Sequence, residues 1–326
     1  METVFSGIQP TGTLHIGNYL GAIRNWVAFQ DQFRCFYCIV DYHALTADVV
    51  DQASLPQRTL DAAIDLLACG IDPQKAVLFV QSQVPEHTEL CWIFNTVTPM
   101  GELERMTQYK DKAQRQVENI NVGLFDYPVL QAADIMLYKA TRVPVGQDQV
   151  QHLELAREIA RKFNAKFGET FPEPQAMLSA TPKILGLDGS AKMSKSLNNA
   201  VYLRESPDEI WAKLKVAVTD PARVRRTDPG NPDVCNVFSL EKSFCSLPVL
   251  QRINRECRSA EIGCIDCKKL LLADLVPQLA PIRERALALA ARPDDVRDIL
   301  AAGAGRAHAA AGATLEEVRR RVGVRS

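Results

Sequence analysis

The chain has 326 residues, of which 47% are hydrophobic and 24% are charged, and its formal net charge is −1. This length suffices for one large core or two domains, and the composition is that of a globular protein. The near-zero charge excludes a uniformly basic nucleic-acid binder. Apolar runs fall well short of the ~20 residues that span a bilayer, and the amino terminus lacks a secretory pattern. We therefore expect a cytoplasmic protein without a membrane partner.

The chain opens with a strand, a glycine-rich loop and a helix. Residues 3–6 predict a short buried strand, and residues 19–29 carry apolar side chains at helical spacing. A loop in this position directs backbone N–H groups and the positive end of a helix at an anion. Gly17 allows a nucleotide to approach closely, and His15 and Asn18 supply side-chain donors. The simpler alternative is a surface histidine in an ordinary α/β protein.

Apolar runs and helical stretches alternate along the first half of the chain. Strands are predicted at 35–40, 76–80 and 142–145, and helices at 54–69, 86–96 and 151–167. Alternating βα units predict a Rossmann-like, doubly wound parallel sheet with its ligand at the carboxyl ends of the strands. After residue 196 the pattern is helical only. We predict an α/β catalytic domain over 1–188, with an insertion around 98–125, and an all-helical domain over 189–326.

The second informative stretch covers residues 125–135. Gln131 and Asp134 are three residues apart, and Tyr127 lies one turn earlier, so a helix places them on one face. A carboxylate among apolar neighbours is costly to bury without a partner. One interpretation is a helix cap or a surface carboxylate. The other is a pocket acceptor for a ring N–H, which would discriminate strongly against analogues that lack this group.

The fourth predicted strand ends in a glycine and an acid. Gly146 allows a ribose to approach, and Asp148 is placed to bind its hydroxyls, as acids that follow strands do in nucleotide folds. Gln149 is a candidate for holding an amino or carboxylate group of a substrate. Further along the chain, Ile184 is a candidate for packing on an adenine. These residues extend the prediction from an anion site to a nucleotide site.

The pentapeptide Lys192-Met193-Ser194-Lys195-Ser196 follows turn-forming residues at 186–189. Lysine is a compact charge on a flexible stem and suits phosphate oxygens. Two lysines on a mobile loop could close over a triphosphate and follow the charge onto a leaving pyrophosphate. The alternative is a solvated basic loop.

Nine cysteines in a chain without a secretory pattern favour thiols or metal ligands over disulfides. Five of them lie in the predicted helical domain. Four of these, Cys235, Cys257, Cys264 and Cys267, are candidate metal ligands, and Cys245 is a spare. Thiolates two residues apart in a glycine-containing turn are suited to one metal, and two more complete a four-thiolate site for Zn²⁺ or a [4Fe–4S] cluster. The alternative is a set of unrelated free thiols.

Several segments together carry a family resemblance. They are Phe5–Gly21, Cys38–His43, Gly101–Gln108, Tyr127–Asp134, Pro144–Gln149 and the pentapeptide at 192–196. On these segments the chain resembles the bacterial tryptophanyl-tRNA synthetases, which are class I aminoacyl-tRNA synthetases. Residues 13–18 are similar to the first class I signature, with Asn18 where many members have histidine, and the pentapeptide matches the second. Tyrosyl-tRNA synthetases share the fold, both signatures and a pocket aspartate.

The resemblance implies roles for particular residues. It implies a catalytic set of His15, Asn18, Lys192 and Lys195. The implied ATP contacts are Gln9, Pro10, Thr11, Gly17, Asn18, Gly146, Gln147, Asp148, Ile184, Lys192, Met193, Ser194, Lys195 and Ser196. The implied tryptophan pocket is Phe5, His43, Tyr127, Gln131, Asp134, Val143, Val145 and Gln149. Relatives often carry methionine at the position of Gln131, which leaves its role open.

The resemblance also implies a reaction and its partners. Tryptophan is activated with ATP and Mg²⁺ and is then transferred to tRNA(Trp), by a homodimer. A subset of the family has a similar cysteine spacing for a [4Fe–4S] cluster, so iron–sulfur is favoured over Zn²⁺. The contrasting hypotheses are a tyrosyl-tRNA synthetase and a non-catalytic paralogue that binds tryptophan or RNA. The phosphate-binding side chains His15, Asn18, Lys192 and Lys195 argue against the paralogue.

Overall fold

The computed structural model describes residues 1–46, 52–107, 121–178, 184–194 and 197–324. Two of the predicted nucleotide contacts, Lys195 and Ser196, lie outside these described residues, as does Gln108 of the matched segments.

One parallel sheet organises the first half of the chain. Its strands are β1 (Thr3–Ile8), β2 (Arg34–Ile39), β3 (Ala76–Val80), β4 (Arg142–Val145) and β5 (Gln175–Leu178). All neighbouring pairs are parallel, and the spatial order is β3-β2-β1-β4-β5. The predicted Rossmann-like α/β fold is confirmed, and this order reverses direction at β1. The sequence analysis did not predict β5, a short strand without a long apolar run.

Helices flank and follow the strands. Those in the first half are α1 (Ile16–Asn18), α2 (Arg24–Phe29), α3 (Asp41–Ala44), α4 (Leu55–Ala68), α5 (Glu86–Asn95), α6 (Met100–Glu104), α7 (Val122–Leu137) and α8 (Val150–Phe167). Those in the second half are α9 (Pro207–Leu214), α10 (Asn236–Phe244), α11 (Leu247–Arg258), α12 (Cys264–Ala290) and α13 (Pro293–Val322). A π-helical turn, Tyr19–Ile23, joins α1 to α2, and 3₁₀ turns occupy Gln52–Ser54, Gln81–Gln83, Gln147–Gln149 and Pro232–Val234.

The chain divides into two compact units. The first, which we call the sheet unit, contains Met1–Thr11, Asn25–Ala180 and Arg292–Ser326. The second, the helical unit, contains Gly12–Arg24 and Thr181–Ala291. This division differs from the predicted boundary at residue 188 in two ways. The first signature segment belongs to the helical unit, and the last helix belongs to the sheet unit.

The last helix, α13, packs on β3 because small residues allow a close approach. A Cβ atom on Gly303 would lie 1.8 Å from the carbonyl oxygen of Leu78, so only glycine fits there. Arg306 Nη2 donates to the carbonyl oxygens of Pro73 and Ala76 at 2.7 and 3.0 Å. Apolar side chains further along α13 join the core of the sheet unit, namely Ala304, Ala307, Ala311, Leu315 and Val318. The alanine-rich end of the chain is therefore a core helix of the sheet unit.

Among the described helices, none is long and apolar enough to cross a membrane.

Candidate active site

Asp134 is the centre of a buried polar cluster in the sheet unit. Its residue is 1% exposed and lies on α7. His43 Nε2 donates to Oδ2 at 2.8 Å, and His87 Nδ1 donates to Oδ1 at 2.6 Å. Gln81 Nε2 donates to both oxygens, at 2.8 and 3.0 Å. The carboxylate is thus buried and paired, which excludes the interpretation of a surface-facing group.

The Asp134 carboxylate remains charged in this setting. Burial by itself would raise the pKa of Asp134, but the hydrogen bonds from His43 and His87 bring that pKa well below its ordinary value. Both carboxylate oxygens already accept hydrogen bonds from the protein. An N–H group of a ligand therefore has to share one of these oxygens with a protein donor.

Aromatic rings enclose this cluster. The Phe5 ring stacks on Tyr138 with centroids 5.5 Å apart, and Phe36 stacks on Tyr138 at 4.4 Å. The Tyr138 hydroxyl lies 2.8 Å from His87 Nε2. Because His87 Nδ1–H donates to Asp134, its Nε2 accepts from this hydroxyl. The tyrosine therefore fixes the ring orientation of a histidine that holds the carboxylate.

Tyr127 forms a second contact on the same helix as Asp134. Its hydroxyl lies 2.9 Å from His152 Nε2, and its ring is edge-on to His43 with centroids 6.3 Å apart. Burial raises the pKa of Tyr127 to about 12, so the hydroxyl is protonated at neutral pH. The structure therefore brings Phe5, His43, Tyr127 and Asp134 into one buried region, and their role as a tryptophan pocket stays a prediction.

The other predicted pocket residues are less enclosed. Val143 is 3% exposed and belongs to the core, and Val145 packs against that core. Gln131 is half-buried on α7. Gln149 Nε2 donates to Asp148 Oδ2 at 3.0 Å. Their roles toward a substrate stay predictions.

The predicted nucleotide contacts of the sheet unit lie where the strand order reverses. Gln9, Pro10 and Thr11 follow β1, and residues 146–148 follow β4, the neighbouring strand. A crevice outside the carboxyl ends at such a reversal is the usual ligand site of open α/β sheets. A Cβ atom on Gly146 would lie 2.7 Å from Asp148 Oδ1, so a larger residue would push against that exposed carboxylate.

The first signature segment caps its own helix in the helical unit. His15 Nδ1 accepts from the backbone N–H of Asn18 at 3.2 Å, and Asn18 Oδ1 accepts from the backbone N–H of His15 at 3.1 Å. This reciprocal capping box fixes both side chains. Because Nδ1 accepts, the neutral imidazole of His15 carries its proton on Nε2. The amide nitrogen of Asn18 remains a donor.

The second signature segment lies beside the first within this unit. Ile16 N donates to Val201 O at 2.9 Å, and His15 pairs with Tyr202 in an antiparallel bridge. A Cβ atom on Gly17 would lie 3.5 Å from the Cβ of Met193. Burial, followed by the charge of Lys192, lowers the pKa of His15 to about 4. His15 is therefore a neutral donor next to an exposed lysine.

Lys192 and Ile184 lie on a short hairpin. Leu185 pairs with Lys192 in an antiparallel bridge, and Met193 N donates to Ile184 O at 3.2 Å. Gly189, with a φ of 68°, lies in the turn between the two arms. The first two residues of the second signature, Lys192 and Met193, are thus held by backbone pairing. The turn predicted at residues 186–189 closes this hydrogen-bonded hairpin, and the movement of the loop stays a prediction.

The four predicted metal-ligating cysteines belong to the helical unit. Arg223 Nη1 lies 3.7 Å from Cys257 Sγ and 3.9 Å from Cys264 Sγ. Cys267 Sγ donates to Glu241 Oε1 at 3.0 Å. Burial, and in smaller part the charges of neighbouring groups, raise the pKa of Cys235, Cys257 and Cys267. The thiols of Cys235, Cys257 and Cys267 therefore lie close enough to raise one another's pKa, and their burial favours the protonated form.

The donor chemistry of these cysteines fits a thiolate-bound centre, but their arrangement is not that of a formed site. Among the described residues, no group of three or more His, Cys, Asp or Glu side chains is placed to hold a metal ion. The prediction of an iron–sulfur variant is therefore not shown by this structure. The spacing of the cysteines in the sequence does not indicate that Cys267 is hydrogen-bonded to Glu241. This hydrogen bond engages one of the four thiols.

The fold, the buried carboxylate and the paired signature segments together define a class I aminoacyl-tRNA synthetase. The family described as tRNA synthetases class I (W and Y) matches residues 1–277. The chain belongs to this family.

Full-length relatives narrow the branch. The chain is 54% identical to a tryptophan–tRNA ligase of Deinococcus radiodurans over 99% of both chains. It is 47% identical to that of Thermotoga maritima, over 97% of this chain and 98% of the relative. A solved structure of tryptophanyl-tRNA synthetase from Campylobacter jejuni, complexed with ADP and tryptophan, superposes with a TM-score of 0.89 at 38% identity. It covers 98% of this chain and 99% of its own. The chain is an aminoacyl-tRNA synthetase related to tryptophan–tRNA ligases along its whole length.

The sequence analysis named His43 but missed the other two residues that bond Asp134, Gln81 and His87. Gln81 directly follows β3 and therefore lies at the carboxyl edge of the sheet, which was an available signal. His87 lies in the first turn of α5, and nothing in its spacing indicates a partner on α7. The analysis also missed two buried asparagines, Asn199 and Asn236, which contact the signature hairpin.

Proposed function

We propose that the chain activates L-tryptophan with ATP and Mg²⁺ and transfers the tryptophanyl group to the 3′ end of tRNA(Trp) in the cytoplasm. A carboxylate oxygen of tryptophan attacks the α-phosphorus, and the bond to pyrophosphate breaks. The terminal ribose hydroxyl of the tRNA then attacks the adenylate carbonyl, and AMP leaves. The observation that carries the proposal is the proximity of the two signatures: a Cβ atom on Gly17 would lie 3.5 Å from the Cβ of Met193, and Lys192 is close enough to lower the pKa of His15.

The helical unit supplies the phosphate chemistry. His15 is neutral and offers Nε2–H, and Asn18 offers its amide nitrogen, both at the amino end of α1. Lys192 adds a positive charge that suits the developing pyrophosphate. Mg²⁺, when bound, neutralises further phosphate charge. Catalysis rests on positioning and electrostatic stabilisation, and no side chain becomes covalently attached to substrate.

The sheet unit supplies the choice of amino acid. Asp134 is a buried anion among aromatic rings, so it favours the binding of a flat apolar ligand that donates one N–H. The proposal assigns ribose contacts to Gly146 and Asp148, and tryptophan contacts to the pocket residues predicted from the sequence. Ring analogues without an N–H are expected to be poor substrates because they cannot donate a hydrogen bond to this buried carboxylate.

Tryptophan-dependent ATP–pyrophosphate exchange tests the proposal directly. Exchange with tryptophan and not with tyrosine is the expected result. Exchange with tyrosine would identify a tyrosyl-tRNA synthetase, and no exchange with either amino acid would identify a non-catalytic paralogue. The variant Lys195→Ala tests the catalytic assignment separately. It should slow adenylate formation much more than it weakens tryptophan binding. Equal effects on both would refute the assigned role of Lys195.

We also propose that Cys235, Cys257, Cys264 and Cys267 hold a [4Fe–4S] cluster, with Zn²⁺ as the alternative. The support is their spacing, their mutual electrostatic influence and the cationic Arg223 beside two of them. The role would be structural, in the unit predicted to read the tRNA anticodon. Anaerobic purification should give a brown protein with iron and acid-labile sulfide, and Cys264→Ser should lose both. Zinc without sulfide would identify the alternative, and neither metal would leave four free thiols.

The chain is further proposed to form a homodimer. In support, three of the described helices of the sheet unit carry large exposed apolar side chains, at Trp92, Met100 and Val122, which are 72%, 63% and 79% exposed. Light scattering should give twice the mass of the chain, and Trp92→Glu should shift the equilibrium toward the monomer. A monomer at micromolar concentration would contradict this part of the proposal.

A further inference from the structure

The hairpin that carries Lys192 is fixed by a buried side chain from the segment that follows it. Asn199 is 4% exposed. Its Oδ1 accepts from the backbone N–H of Ser194 at 2.8 Å, and its Nδ2 donates to Asp188 Oδ1 at 3.0 Å. Its backbone carbonyl accepts from Leu187 N at 2.8 Å. One residue therefore bonds the turn of the hairpin and the end of its second arm.

The hairpin is shaped to receive this asparagine. A Cβ atom on Gly186 would lie 2.0 Å from Asn199 Nδ2 and 2.2 Å from its Cγ. Because a real Cβ atom almost never approaches another heavy atom so closely, any larger residue at this position displaces the asparagine. Glycine is thus required at position 186 because the Asn199 side chain lies so close. The carbonyl oxygen of Gly186 also accepts a hydrogen bond.

That carbonyl is bonded by a second buried asparagine. Asn236 Nδ2 donates to Gly186 O at 2.7 Å, and Asn236 itself is 7% exposed at the start of α10. Gly189 lies against the same residue, since a Cβ atom there would be 3.4 Å from the Cβ of Asn236. Both arms of the hairpin are therefore attached to the body of the helical unit by neutral amides, which leave the charge of Lys192 unchanged.

We propose that Asn199 and Asn236 are positioning residues for adenylate formation, which they support by holding Lys192 and Ser194 in place. Neither residue belongs to the predicted ATP or tryptophan contacts. The inference rests on the proposed function, because it assigns them to the phosphate-transfer step. It commits to a precise arrangement at Asp188: this carboxylate accepts from Asn199 Nδ2, and Ser190 Oγ donates to its other oxygen at 2.9 Å.

The donor and acceptor in this contact can be exchanged. Asn199→Ala removes two hydrogen bonds and should lower the kcat of ATP–pyrophosphate exchange about 30-fold. Asn199→Asp should be at least as damaging because it sets two carboxylates against each other. The double variant Asp188→Asn/Asn199→Asp reverses the polarity, since an amide at 188 can donate to a carboxylate at 199 while its oxygen accepts from Ser190 Oγ. It gives up only the long bond, 3.4 Å, from Ser190 N to Asp188 Oδ1. It should return kcat to within about threefold of the parent protein.

Matched controls separate positioning from general damage. Ser190→Ala removes a neighbouring bond to Asp188 and should leave exchange unchanged. The dissociation constant of tryptophan should stay constant in every variant, because the pocket residues belong to the sheet unit. Asn236→Ala and Gly186→Ala should reproduce the loss in kcat.

Hydrogen–deuterium exchange gives a readout that does not need activity. The amide of Ser194 should lose protection in Asn199→Ala and in Gly186→Ala, and regain it in the double variant. Protection that is unchanged in Asn199→Ala, or a double variant no better than Asn199→Asp, would overturn the inference. A parent protein that is inactive in pyrophosphate exchange would instead count against the proposed function, and the protection pattern would still decide whether Asn199 holds the hairpin.

Discussion

The two candidate sites treat charge in opposite ways. In the sheet unit, the carboxylate of Asp134 is almost fully buried, and two histidines and one glutamine satisfy its charge. In the helical unit, Lys192 is exposed, and its neighbour His15 is kept neutral. At Asp134 the protein itself neutralises the buried charge. At Lys192 the charge is exposed to solvent and can bind an anion.

This difference implies that stability and function are coupled at one site and separate at the other. A change in the Asp134 cluster leaves buried donors without an acceptor, so it costs free energy of unfolding as well as recognition. A change at an exposed lysine costs little stability, because exposed charges contribute little to it. The predictions below test whether the two sites behave in these two ways.

The largest effect is expected for Asp134→Asn. The amide cannot accept from His43, His87 and Gln81 together, and breaking a buried pair of this kind costs about 3–5 kcal/mol of unfolding free energy. Tryptophan activation should fall by at least about a thousandfold. Denaturant unfolding and pyrophosphate exchange measure the two losses. The control is Asp126→Asn on the same helix, where the carboxylate is only partly buried and accepts from Asn95. A stable Asp134→Asn protein would break the comparison.

Lys192→Ala should show the opposite pattern. Exchange should slow by about 100- to 1,000-fold, as for loss of one group that stabilises transition-state charge. The unfolding free energy should change by less than about 0.5 kcal/mol, and the dissociation constant of tryptophan should not change. Lys215→Ala removes another exposed lysine of the helical unit and serves as the control. If the two lysine variants were equally active, the charge at Lys192 would have no catalytic role.

A smaller effect concerns pH and His15. The pKa of His15 is about 4 in the folded chain, against an ordinary value of 6.5. Between these values the unfolded chain binds a proton that the folded chain does not, so stability falls as pH falls. The loss due to His15 should be about 2 kcal/mol between about pH 7 and pH 5. His15→Asn keeps a capping oxygen but does not titrate, and its unfolding free energy should fall less over this range. Parallel curves for both proteins would contradict the low pKa.

The sequence was sufficient to predict four of the five strands, but not two of the three partners of Asp134. Four of the five strands are apolar runs long enough to read, and βα alternation then fixes a parallel sheet. The histidine and glutamine that bond Asp134 lie 47 and 53 residues away in the chain. Their contact depends on how α5 and α7 pack, and residue spacing carries no information on that packing.

The two units were harder to predict for a related reason. The first signature follows β1 within a few residues, so the sequence analysis predicted it in the same domain as β1. In the structure it packs with residues 193–202, which lie beyond the far end of the predicted first domain in the sequence. The alanine-rich end of the chain likewise resembles any exposed helix until the contact of Gly303 with Leu78 is seen. Such long-range contacts depend on how the elements pack in three dimensions, and residue spacing in one sequence says little about that packing.

The smallest effect should come from Tyr138→Phe, and it asks whether the coupling in the sheet unit extends beyond the direct partners of Asp134. The change removes only the hydroxyl that donates to His87 Nε2, while the ring can still stack on Phe5 and Phe36. It should cost about 1 kcal/mol of stability, the usual value of one buried hydrogen bond. Because His87 is then held less firmly against Asp134, the dissociation constant of tryptophan should rise about threefold.

Tyr37→Phe is the matched control for this last variant. The Tyr37 hydroxyl is also buried in the sheet unit and donates to the carbonyl oxygen of Trp26 at 2.7 Å, but it has no contact with the Asp134 cluster among the described hydrogen bonds. Its loss should cost a similar free energy of unfolding and leave tryptophan binding unchanged. If both variants weakened binding equally, the effect would reflect general loosening of the core. A difference confined to Tyr138→Phe would show that the pocket's charge is held by a chain of bonds, from tyrosine through histidine to carboxylate.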